Sequence, residues 1–153
     1  MLSDKINAFN KDLHFEGSLP GSIGILNPFK EEAVYRTACH FYDKYYNDDR
    51  PRKLILGINP GRLGAGATGI PFTDPKRLRE VCGLSFEGPL LHEPSSVFVY
   101  DVIAAYGGPE SFYSAFYINS VCPLGFVIKD KDNKEKITTI TIVNHCKLPF
   151  NPL

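Results

Sequence analysis

The sequence has no excess of either charge: 17 lysines and arginines stand against 17 aspartates and glutamates. An acidic partner such as nucleic acid must therefore be met by a local patch, because the field of the whole chain gives it no pull. The chain also lacks closely spaced cysteines. Cys39, Cys82, Cys122 and Cys146 lie far apart with no C-x-x-C pair, so the spacing signals neither a zinc site nor a compact disulfide framework. Reduced thiols, a cytoplasmic location and no metal are the expectation. No apolar run reaches the length needed to span a membrane, and no membrane partner is expected. Internal repeats and low-complexity tracts are absent as well.

What is present suffices for one domain. The 153 residues are 43% hydrophobic and 12% aromatic, enough for a packed core, and residues 1–153 are read as a single unit. Residues 17–28 are rich in turn formers, and Asn27-Pro28 predicts a cap and first-turn proline ahead of a helix. Ala33, Val34, Ala38, Phe41 and Tyr45 then recur at helical spacing until Pro51 forbids continuation. "KLILGI", residues 53–58, is short and nearly all apolar, the pattern of a parallel strand buried on both faces. Short helices are predicted from Asp74 to Cys82 and over "PSSVFVYDVIAAYGGP", with a helical turn at "ESFYSAF" leading into a second core strand, "FYINSVCPL". "GFVIKDKDNKEKITTITIV" predicts a hairpin. Strands alternating with helices make the class α/β, where ligands sit at the carboxyl ends of parallel strands.

At such an end lies "GINPGRLGAGATGIPF", residues 57–72, with five glycines and two prolines. So bare a backbone lets amides approach a ligand closely. The phosphate-loop pattern needs a lysine after its last glycine and the dinucleotide pattern needs G-x-G-x-x-G; neither is met. Asn59 offers a neutral amide able to orient a water, and Phe72 a planar face. Together with the glycines they suggest a pocket for a flat heterocycle.

This stretch resembles, without a gap, the first motif of the uracil-DNA glycosylase superfamily in its single-strand-selective monofunctional branch, of form G-x-N-P-G-x-x-G followed by T-G-x-P-F. A second stretch, "GGPESFYSAFYINSVCPL", is similar to that branch's segment ending in C-P-L, and Asn27-Pro28 also fits. The resemblance implies a three-layer α/β/α sandwich around a short, mostly parallel sheet, and an enzyme that hydrolyses the bond between base and sugar in DNA with no cofactor.

Residue by residue, it implies that Asn59 positions the attacking water, that backbone amides at Gly61 and Arg62 receive charge on the leaving base, and that Phe72 stacks on the extruded base. Gly61 would leave room for modified uracils. Ser120 falls where the family carries an asparagine that reads the pyrimidine edge, with Asn119 one residue earlier. Adjacent strand residues point to opposite faces, so only one of the two is expected in the pocket unless the strand breaks there. Arg52, Lys76 and Arg77 are candidate contacts to the DNA backbone among a wider group of basic residues. The family's second motif, His-Pro and a wedge loop, is expected beyond this chain, since His145 is followed by cysteine; the sheet is then incomplete at the C-terminus, and its uncovered edge invites a homodimer. Two other readings compete with the glycosylase: a catalytically impaired module that binds nucleic acid or a nucleobase, and a nucleotide-binding α/β protein whose loop mimics the motif.

Overall fold

The apolar stripe expected after Asn27-Pro28 winds into a helix, α2 (Glu32–Tyr46), whose buried face is Ala38, Phe41, Tyr42, Tyr45 and Tyr46. The computed structural model describes residues 1–129 and 135–137. Asn27 does cap, but what it caps is a 3-10 turn, Pro28–Lys30, where its side chain accepts from the Phe29 amide; α2 begins only after Glu31. Ahead of it stands α1 (Leu2–Asp12), which the sequence reading passed over, held to the far end of α2 by a bond from the Leu2 amide to the Asp48 carbonyl.

Two sheets carry the strands. Strand β2 (Lys53–Gly57) runs parallel to β3 (Phe116–Ser120), with Leu56 opposite Asn119 and Gly57 opposite Ser120. Between them the chain passes through α3 (Ala65–Thr68), α4 (Pro75–Glu80), α5 (Pro94–Ala105) and α6 (Pro109–Ala115), the long crossover that parallel pairing demands. The second sheet is antiparallel: β1 (Ile23–Leu26) pairs with β4 (Gly125–Lys129), which pairs with β5 (Glu135–Ile137). The expected hairpin is thus present at β4 and β5, and the rest of that segment lies outside the described residues. β1 had been taken for part of a turn-rich segment.

The core fills the space between α2 and the parallel pair with aromatic rings. Phe41 meets Tyr113 edge to face at 5.2 Å, and Tyr46 meets Tyr117 at 5.5 Å. Burial raises the phenols of Tyr42, Tyr46, Tyr113 and Tyr117, which stay neutral at any ordinary pH.

Two expectations are corrected. β2 was to be buried on both faces; instead Leu54 is 57% and Leu56 53% exposed, because β3 pairs with one edge only and no described element covers the remainder. The cysteines were expected to be reduced thiols. Cys39 and Cys82 are free, whereas Cys122 is disulfide-bonded, which wide separation in sequence gives no means of seeing.

Candidate active site

Where β2 and β3 end together, the chain past Gly57 turns away into the glycine loop. The pairing persists just beyond the strands, with Val121 N bonded to the Gly57 carbonyl at 2.8 Å and Cys122 N to that of Ile58 at 3.0 Å. Asn59 and Pro60 begin immediately after this clasp, so the parallel register is what sets the loop beside Ser120.

Each glycine of the loop makes way for something specific. A side chain on Gly57 would stand 3.0 Å from the Phe72 ring. One on Gly61 would stand 2.5 Å from Glu93 Oε1, and one on Gly64 would overlap the same carboxylate. One on Gly66 would press on the Gly61 carbonyl at 2.7 Å. Gly69 ends α3 in the left-handed region, φ 74°, where a Cβ is disfavoured. The bareness of the loop thus has local causes, of which the Glu93 carboxylate is the main one.

The loop's return is pinned from inside. Thr68, fully buried, donates from its hydroxyl to the Thr73 carbonyl at 2.7 Å and accepts from the Ile70 amide at 3.1 Å. Between these anchors Phe72 is forced to φ 53°, a left-handed conformation costing a bulky residue about 1–2 kcal/mol. Asp74 then joins three segments. Its carboxylate accepts from the Arg77 amide at 2.8 Å, capping α4, and from the Glu93 amide at 3.0 Å, and its own amide bonds to the Ser96 hydroxyl. Burial raises the Glu93 carboxyl above its ordinary range, with the charge of Asp74 adding to the effect and a bond from Ser95 opposing it.

A small cleft opens against the strand ends. Pro60 and Ala65 of the loop, Asn119 and Ser120 of β3, and Asn10, Phe29 and Tyr42 on the far side all line it. Its free volume, about 10 Å³, is the room of about one water. Asn119 and Ser120 both border it, contrary to the expectation that only one would. They are the last two residues of β3, and the Asn119 carboxamide oxygen accepts from the Ser120 amide at 2.8 Å. The Asn119 amide group is further tied to the Tyr117 hydroxyl at 3.0 Å.

The other expected residues divide. Asn59 is half-buried, and its side chain makes no hydrogen bond among the described residues, so it is no turn cap. The amides of Gly61 and Arg62 donate to no described partner, and the Arg62 side chain is exposed. Phe72 lies over Gly57 and packs on the core; its neighbour Pro71, rather than its own ring, borders the cleft, as Pro60 does in place of Asn59.

Arg52 is corrected outright as a DNA contact. Its side chain is 2% exposed, and its N–H groups go to the Tyr113, Tyr45 and Arg50 carbonyls and both oxygens of Asp48. Those bonds hold the Asp48 carboxyl well below the usual carboxylate range. Arg77 is partly engaged as well, donating to Asp74 at 3.1 Å and to His92 Nδ1 at 2.7 Å, while Lys76 is exposed on α4. Sequence reasoning missed Glu93 and Asp74, for which "TDP" and "HEPSS" offered only helix-start signals, and Asn10, a polar residue four places after Ile6 on the buried stripe of α1.

Comparison with known proteins places this geometry. The sequence profile of the uracil DNA glycosylase superfamily matches residues 44–150. The crystal structure of wild-type Pedobacter heparinus SMUG2 is similar, at 56% identity and a TM-score of 0.86. The match covers 89% of this chain and 59% of that one, so the chain spans about three fifths of the structure it resembles.

Proposed function

This chain belongs to the uracil DNA glycosylase superfamily, in its SMUG-like branch, and on that premise we propose that it serves base-excision repair by hydrolysing the N-glycosidic bond of uracil, and of related damaged bases, in DNA. The observation that carries the proposal is the Asn59 amide at the carboxyl end of β2, without a partner among the described residues and adjoining Pro60 of a cleft that Ser120 also lines.

Cleavage of a base–sugar bond builds positive charge on the sugar as the bond stretches, so a positioned water is nucleophile enough. Asn59, neutral and uncommitted, orients that water rather than deprotonating it, which sets a slower rate than a carboxylate at that place would give. The leaving base takes up negative charge. The unused amides of Gly61 and Arg62 are donors for it, each worth on the order of 3 kcal/mol in a dry site. A pyrimidine exceeds the present cleft, so engagement includes parting its walls, and the base must come from a single strand or be flipped out of a duplex. Stacking by Phe72 then requires its ring to leave the packing over Gly57 and the core. Lys76 and Arg62 are exposed cations available to phosphates.

Release of uracil from a labelled oligonucleotide tests the reading. Asn59→Ala is expected to lower that rate at least tenfold while leaving DNA affinity nearly unchanged, since the residue acts on water in the transition state. Equal rates remove Asn59 from the mechanism. Binding of uracil-containing strands without any release identifies the base-binding module instead.

A further inference from the structure

We propose that Asn10, from the first helix, is a specificity-determining residue of this cleft, donating from its side-chain amide to a carbonyl oxygen of the bound pyrimidine. The inference rests on the glycosylase reading and extends it to a residue outside both motifs.

Three buried polar side-chain atoms lack a hydrogen-bond partner among the described residues: Asn7 Oδ1, Asn10 Nδ2 and the Tyr45 hydroxyl. Of these residues only Asn10 lines the cleft that Ser120 closes from the other side. It is 5% exposed. Its amide leans toward the Tyr42 hydroxyl, near enough to lower that phenol slightly against the burial that raises it, yet short of hydrogen-bond geometry. Tyr42 itself directs its hydroxyl to the Gly69 carbonyl at 3.5 Å. A buried donor left empty costs the full desolvation of the group, so one on a residue that lines a cleft is a place for a ligand acceptor once the walls part.

The rest of the polar wall is less free. Asn119 is held by Tyr117 and by the Ser120 amide, which leaves the Ser120 hydroxyl and the Asn10 amide without a partner among the described residues in the lining of one cleft. Uracil presents two carbonyl oxygens flanking an N–H, whereas cytosine replaces one of those oxygens by an amino group. A hydroxyl reads one edge atom at a time and turns to suit either base. A rigidly mounted amide donor does not turn so readily: it satisfies a carbonyl and opposes an amino group, and so supplies discrimination that the serine lacks. The mount is firm, since α1 buries Ser3 and Ile6 beside Asn10 and packs along α2.

The test uses the whole chain with Asn10→Leu, which keeps size and removes the donor, and Asn10→Asp, which exchanges donors for acceptors. The readouts are the melting temperature, affinity for free uracil and free cytosine, and release of uracil from a single-stranded oligonucleotide. Asn10→Leu is expected to melt at or above the parent temperature while losing about tenfold in uracil affinity and release; a merely structural asparagine would show the reverse. Asn10→Asp is expected to narrow the preference for uracil over cytosine by about the same factor. Parent-like affinity and release in Asn10→Leu overturn the proposal and leave the glycosylase reading intact. Should Asn10→Leu not fold, an unchanged preference in Asn10→Asp overturns it. A parent protein that neither binds nor releases uracil removes both.

Discussion

Glu93 and Gly64 occupy one space between them: the carboxylate rests where a β-carbon on residue 64 would be. Gly64→Ala is therefore expected to destabilise the fold by about 1–3 kcal/mol through overpacking, read as a lower midpoint in urea. Adding Glu93→Ala should restore most of the loss, and a double mutant no better than the single one would show that the two do not meet. At this scale the sequence disclosed where the backbone had to be bare but not what fills the space. Gly61 and Gly64 are separated from Glu93 by the whole of α3 and α4, and no local pattern announces a contact of that range. The place of Asn59 at the end of β2 was legible because its strand and its glycines adjoin it. That Asn10 lines the cleft was not, because a polar residue on a helical stripe usually means only that the stripe is narrow.

Arg52 shows what an element needs from a single side chain. It closes the turn between α2 and β2 by taking carbonyls from α2 and α6, and its guanidinium lies over the Tyr46 ring at 4.9 Å. Arg52→Lys keeps the charge and loses the fork, so we expect a cost of at least about 2 kcal/mol in denaturant unfolding. The salt dependence of DNA binding should not change; a shallower slope would restore Arg52 as a phosphate contact. Basic residues next to a pocket motif look alike in sequence whether they face solvent or the interior, which is why this one was misjudged. The helices themselves were easier to foresee. α4, α5 and α6 each have proline in their first turn, a start signal with a mechanical cause. β1 has no such marker: four residues with a glycine among them become a strand only because β4 returns to pair with them.

At the scale of the molecule, apolar side chains are exposed around β2 and α5 among the described residues. Ile58 at the end of β2 is 72% exposed, and on α5 Phe98 is 70%, Val102 43% and Tyr106 50% exposed, all three on one face. Such exposure exceeds the scattered single residues of an ordinary surface. Self-pairing through an uncovered sheet edge, as expected from sequence, has a direct test at β2, whose second edge has no partner among the described residues. Amide hydrogen exchange in β2 should be slow at the groups bonded to β3, fast at those facing outward, and slower at the latter as protein concentration rises. Concentration-independent exchange would exclude the dimer. The strand's all-apolar composition revealed that it is made to be covered, and composition has no means of saying by which partner.

The parallel register that sets Gly57 opposite Ser120 also fixes when the cleft can exist. Its two walls are distant in the chain, and they come together only after every intervening helix has folded back, because closing so long a loop loses entropy that no early contact returns. Loop and serine are brought face to face late, by the same event that completes the strand pair. The aromatic pairs Phe41–Tyr113 and Tyr46–Tyr117 close loops of comparable length, so the interior and the cleft are completed by the same event.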